Sequence, residues 1–176
     1  MEDAEAARLV LAGDRDGAAR VIESHRMDVY NASLRILGNP ADAEDVTQET
    51  FLAALQRMST YDPAQAMGPW LRAIARNRAI DLLRRRARAP QPEAVVGEST
   101  EALAIDRLEA ERVRAALAEL PRRDRALLVL RYWEDLPVDA VARAMRMTDG
   151  ATRVALLRAR RSLGTLLARE ESGVEV

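Results

Sequence analysis

Residues 42–49 read DAEDVTQE and set four carboxylates within about two helical turns. Grouped carboxylates can do acid–base work when a nucleophile, a metal or a histidine stands beside them. This sequence supplies little company for them. It has no cysteine and one histidine, and it lacks a Gly-rich phosphate loop. His25 falls on an apolar helical stripe, which makes it a core or boundary residue rather than part of a triad or a common zinc site. No catalytic residue, metal ligand or cofactor is expected. On a helix, Asp45, Gln48, Glu49, Leu52 and Gln56 share one face, while Val46, Thr50, Phe51, Ala54, Leu55 and Met58 suit a core. An ordinary solvated face has this composition too. Its functional counterpart is a docking face for a basic partner with an apolar spot that meets Leu52.

A second grouping is basic. The stretch WLRAIARNRAIDLLRRRARAP, residues 70–90, holds seven arginines and one aspartate. Leu71, Ile74, Ala75, Ala79, Leu82 and Leu83 make a buried side. Arg72, Arg76, Asn77, Ile80 and Arg84 make another face, and Arg85, Arg86 and Arg88 extend its charge. Arginines near a helix C-terminus complement the dipole. This run exceeds that need, and nearby sequence offers few carboxylates to pair with it. Contacts to phosphate are the expected role. The Asn77 amide has the chemistry to pair with a base edge. Trp70 reads as a core anchor. The loop 59–69, with Tyr61 and Met67, is a candidate to hold an unstacked base.

A third grouping lies in EDLPVDAVARAMRMTDGATRVALLRARRSL. A short helix over Leu136–Met145, a turn over Met147–Gly150 and a longer helix N-capped by Thr148 have the layout of a helix-turn-helix. Leu156, Ala159, Leu163 and Leu166 form the buried stripe of the longer helix. Arg153, Val154, Leu157 and Arg158 lie outward near its start, where a recognition helix meets bases.

The elements that must hold these groups are all helical. Apolar residues recur at three and four, and strand signals are nearly absent. A helix over 3–12 ends at Gly13. A second starts with Asp16 as N-cap and runs to Leu37, with a stripe of Ala18, Ile22, His25, Val29, Ala32 and Ile36, and is stopped by GNP at 38–40. A third spans about 42–58, and the arginine helix about 70–88. Residues 89–100, APQPEAVVGEST, read as a linker. Helices then cover about 103–120 and, from Pro121, reach Trp133. The expected fold is all-α, with two small helical domains, 1–88 and 103–169, joined by a flexible linker over 89–102 and followed by a frayed tail over 170–176.

Charge divides along the same lines. The 176-residue chain has a formal net charge of -1. Residues 1–60 carry eleven acidic groups and six arginines, net -5; residues 70–90 are net +6; residues 122–161 carry ten arginines and five acidic groups, net +5. A nearly neutral chain can thus still present local fields that bind a polyanion. The acidic start lacks a signal-peptide core, and no apolar run approaches the ~18 residues of a membrane span. A soluble, cytoplasmic protein is expected.

Taken in order, NPADAEDVTQETF, WLRAIARNRAIDLLRRRAR, ALAELPRRDRALLVLRYWEDLPVDAVARAM and GATRVALLRARRSL resemble the bacterial sigma-70 family, in particular its extracytoplasmic-function (ECF) group. The resemblance covers roughly residues 20–167. It implies sigma domains two and four, with no domain between them, in a factor that binds core RNA polymerase and directs it to promoters. It places the β′ clamp helices on Asp45, Gln48, Glu49 and Leu52, and the −10 element on Arg72, Arg76, Asn77 and Arg84. It places the −35 element on Thr148, Arg153, Val154, Leu157 and Arg158. It also implies contact of the second domain with the β flap, and an anti-sigma factor as a common partner. The chain departs from the family where the run Ala151-Thr152-Arg153-Val154-Ala155 replaces a usual threonine–valine followed by a basic residue, serine and arginine, so that Ala155 loses an expected phosphate or base contact, and where Ala140-Val141 replaces a usual Glu-Ile pair. Two other classes remain: a helix-turn-helix regulator acting without polymerase, which leaves the 42–56 and 70–88 faces unexplained, and a small hydrolase using the 42–49 carboxylates.

Overall fold

The computed structural model describes residues 2–86 and 104–172. The expected linker 89–102 lies outside them. The described residues are helical, without strands, and the chain divides into two units, Met1–Arg85 and Arg86–Val176.

The first unit contains α1 (Glu2–Leu11), α2 (Arg15–Leu37), α3 (Pro40–Gln56), a 3-10 turn (Met58–Thr60) and α4 (Met67–Arg86). The N-cap of α2 is Asp14, not Asp16: its carboxylate accepts from the Asp16 amide. Both aspartates fit the composition rule, and only the backbone of Asp14 has the extended conformation a cap needs. Val21, absent from the expected stripe, is buried, while Ile22 is partly exposed. Gly38 closes α2 in the left-handed region at φ 64°, which suits a glycine. Asn39 caps α3, its side chain accepting from the Asp42 amide. This helix therefore begins at Pro40, earlier than the acidic run implied. The unit's core gathers Ala6 and Ala7 of α1, Val21 and Val29 of α2, Phe51 and Ala54 of α3, and Leu71 and Ala75 of α4. Helix α1 lies so close to α2 that a Cβ on Gly17 would stand 2.6 Å from Leu9 Cβ and 2.7 Å from the Val10 amide nitrogen.

The second unit contains α5 (Ala104–Glu119), α6 (Arg122–Leu128) running into a π-helical turn (Val129–Trp133), α7 (Val138–Met145) and α8 (Asp149–Ser172). Helix α8 packs against α5, α6 and α7. Leu127, Leu130, Val141 and Ala159 are buried there. The turn between α7 and α8 comes earlier than expected. Arg146 takes the left-handed position at φ 52°, and Gly150 lies inside α8. Helix α8 also continues to Ser172, into the segment expected to fray.

Candidate functional site

Three surfaces follow from these elements. On α3, Val46, Thr50, Phe51 and Ala54 are buried, which turns Asp45, Gln48, Leu52 and Gln56 to solvent. Leu52 is 63% exposed. Glu49 is only half out, because its Oε2 accepts a hydrogen bond from Arg78 Nη1 of α4 at 3.1 Å. Beside this face, Arg26 of α2 donates to Glu44 at 2.9 Å.

On α4, Leu71, Ala75 and Ala79 are buried as expected, and so is Ile80, which the outward face had included. The helix begins at Met67, three residues before the expected start at Trp70. Met67 is 0% exposed and Tyr61 is 7% exposed, so both belong to the core rather than to a base-holding loop. The Tyr61 ring lies 5.3 Å from that of Trp70, which anchors the junction as expected. Asp3 of α1 reaches across to this point. Its Oδ2 accepts from the Met67 amide at 3.2 Å, and its Oδ1 pairs with His25 Nε2 at 2.8 Å. Burial pushes the Asp3 carboxyl up, but the His25 and Met67 hydrogen bonds and the His25 charge outweigh it and hold it below the usual value of 3.8.

The arginines of α4 are better supplied with carboxylates than the local sequence implied. Arg72 Nη1 pairs with Asp28 Oδ2 of α2 at 3.0 Å, and Arg84 pairs with Asp81 at 2.9 Å. Asp28 and Glu49 are remote in sequence and close in space, which a count along the chain cannot register. Asn77 stands exposed, with Arg76 partly exposed beside it.

On α8, Thr148 Oγ1 accepts from the Ala151 amide at 3.2 Å, as an N-cap does. Thr152, Leu156 and Ala159 are buried, so Arg153, Val154, Leu157 and Arg158 all face out. Tyr132 and Trp133 are surface groups that the sequence expectation does not include. They are 55% and 46% exposed at the end of the π turn. Arg131 stands over the Tyr132 ring at 5.5 Å and Arg160 at 6.0 Å. An aromatic pair followed at once by Glu134-Asp135 is the signal that could have revealed them.

The sigma-70 region 2 family model matches residues 21–89, and the sigma-70 region 4 model matches residues 110–163. The ECF RNA polymerase sigma factor SigF of Caulobacter vibrioides is 35% identical over 144 residues, covering 78% of this chain and 77% of that protein. The chain belongs to the ECF sigma factors. SigE of Mycolicibacterium smegmatis is 32% identical over 168 residues, covering 86% of this sigma factor but 62% of its own length. This chain thus spans less than two thirds of that relative. The sigma factor RpoE of Bartonella quintana, solved with the anti-sigma factor NepR, shares the fold with a TM-score of 0.57 at 19% identity, covering 85% of this chain and 96% of that one. Region 2 holds the α3 and α4 faces, and region 4 holds the α8 face. No helix of the described residues is long and apolar enough to cross a membrane.

Proposed function

We propose that this chain binds core RNA polymerase in the cytoplasm and directs it to specific promoters, without catalysis of its own. The observation that carries this reading is the division of labour between surfaces. An exposed leucine ringed by Asp45, Gln48 and Glu49 lies in the region 2 unit, and an outward face flanked by Arg153 and Arg158 lies in the region 4 unit. The first suits a basic protein surface with an apolar spot, and we assign it to the β′ clamp helices. The second suits the major groove, and we assign it to the −35 element. The α4 face around Arg72, Arg76, Asn77 and Arg84 takes the −10 element. There Arg72 and Arg84 already hold carboxylates, so exchange of those partners for phosphate accompanies binding. Contact of the region 4 unit with the β flap completes the grip on polymerase. An anti-sigma factor, the kind of partner present with RpoE, is the expected inhibitor.

The test is co-elution of the purified chain with bacterial core RNA polymerase on a sizing column. Stoichiometric co-elution is expected. Asp45→Arg with Glu49→Arg should lower the affinity by about tenfold or more, because like charges then meet at the contact. The fold should survive, since surface ion pairs such as Glu49–Arg78 contribute at most about 1 kcal/mol. A double variant that still co-elutes and transcribes normally removes the docking assignment, and a wild-type chain that stays free of polymerase removes the function.

A further inference from the structure

Helix α8 has an unusual outward face for a surface that meets a polyanion. At 3.6 residues per turn, Gly150, Val154, Leu157 and Arg161 run along its centre line, with Arg153 on one flank and Arg158 on the other. Val154 is 49% exposed and Leu157 is 48% exposed. Gly150 has nothing within 4 Å of where a Cβ would stand, so the start of this line is open and flat. Among the described residues no ion pair engages Arg153 or Arg158. From Gly150 to Leu157 the face is therefore an apolar ridge between cationic edges, and Arg161 closes the line beyond it.

That pattern fits a duplex groove, with phosphates toward the arginines and base edges toward the ridge. Val154 and Leu157 have no hydrogen-bonding atom to offer a base. The apolar feature that a base edge presents in the major groove is the C5-methyl group of thymine. The two side chains are about 4.5 Å apart along the helix axis, comparable with the ~3.4 Å base-pair step, so they can address neighbouring base pairs. We propose that Val154 and Leu157 are specificity-determining residues of the −35 interface, and that they select thymine through its methyl group. This rests on the promoter reading above and adds the identity of the chemical group that is read.

The test uses the full chain with bacterial core RNA polymerase and a promoter library randomised in the upstream duplex. Selected templates should share thymine, on either strand, at one or two fixed positions. Those templates are then synthesised with deoxyuridine at these positions alone, which deletes the methyl and leaves every hydrogen bond. Affinity should fall roughly fourfold per methyl removed, the effect of one buried group of that size. Val154→Ala and Leu157→Ala, both at exposed helical positions, should each lose the thymine–uracil difference at one of these positions, and the double variant should bind both templates alike. Selection of a thymine-free element, or a uracil template bound as tightly as its thymine parent, overturns the proposal and leaves promoter recognition intact. Unchanged methyl sensitivity in both alanine variants overturns it too. So does a Val154→Glu variant with unaltered template choice that releases a co-purified protein, because the ridge would then be a protein-docking surface. A library with no sequence enriched at all overturns the promoter reading itself.

Discussion

Arg125 is a charged residue at 6% exposure. Its Nη2 donates to the Ala118 carbonyl at 3.2 Å and to the Leu120 carbonyl at 2.9 Å, where α5 ends. Those are the acceptors a helix C-terminus leaves without partners. Burial, with Arg122 nearby, lowers its pKa from the ordinary arginine value. The guanidinium thus serves as an internal cap joining α5 to α6. Arg125→Ala should destabilise the second unit by about 2–4 kcal/mol, since it orphans buried acceptors and opens a cavity. Urea unfolding followed by far-UV circular dichroism measures this, and an unchanged midpoint would mean that water replaces the cap. Arg125 also marks a limit of sequence reading. It counts among ten arginines of a net +5 segment, and composition places all ten on the surface. The same limit applies to Arg72, whose partner Asp28 is 44 residues away. By contrast, the outward set of Arg153, Val154, Leu157 and Arg158 was legible. The buried stripe of α8 follows helical spacing and leaves those residues no other side.

Helix α1 shows how one element positions another. Its Asp3 carboxylate caps the start of α4 and bonds His25 of α2, while Gly17 lets the two backbones approach. Helix α1 and its end at Gly13 are legible in the sequence, but its task is not, because a contact between residues 3 and 67 has no local signature. The lowered pKa of Asp3 fixes the sign of its pH dependence. Its contribution is fully present above the ordinary carboxylate pKa and is lost as pH falls through the lower folded value. Thermal unfolding of the intact chain between about pH 5 and pH 2 should therefore show an acid-dependent loss that Asp3→Asn lacks. The difference should be at most about 1 kcal/mol, because the Asp3 side chain is 33% exposed. Identical pH profiles would mean that α1 docks through its apolar residues alone. The turn before α8 shows a different difficulty. Glycine is the common left-handed residue, so Gly150 drew the expected turn toward itself. Arg146 holds that position instead, with its amide bonded back to Arg143, and α8 begins one residue before Gly150.

At the scale of the whole chain, the charge pattern and the two units have a joint consequence. Acidic groups prevail over residues 1–60, and arginines prevail over 70–90 and 122–161. Each unit has a core of its own, so each can present its surface without the other. Under the proposed function, the region 2 unit carries the polymerase and −10 contacts and the region 4 unit carries the −35 contact. Covalent connection then turns the second contact into an intramolecular event. A short tether supplies an effective concentration on the order of millimolar, and total avidity can exceed either part by about 100-fold or more. Residues 1–88 and 103–176, made as separate chains and mixed with core polymerase at micromolar concentration, should therefore support far less transcription than the intact protein. Raising the second fragment toward millimolar concentration should restore it in part. Lengthening the connection is a milder change, since each doubling of a loop costs only about 0.6 kcal/mol, or roughly threefold. Separate fragments that match the intact chain at micromolar concentration would show that the region 4 unit adds little grip. Promoter choice would then rest on α4, and Arg76 and Asn77 would be the residues to substitute next.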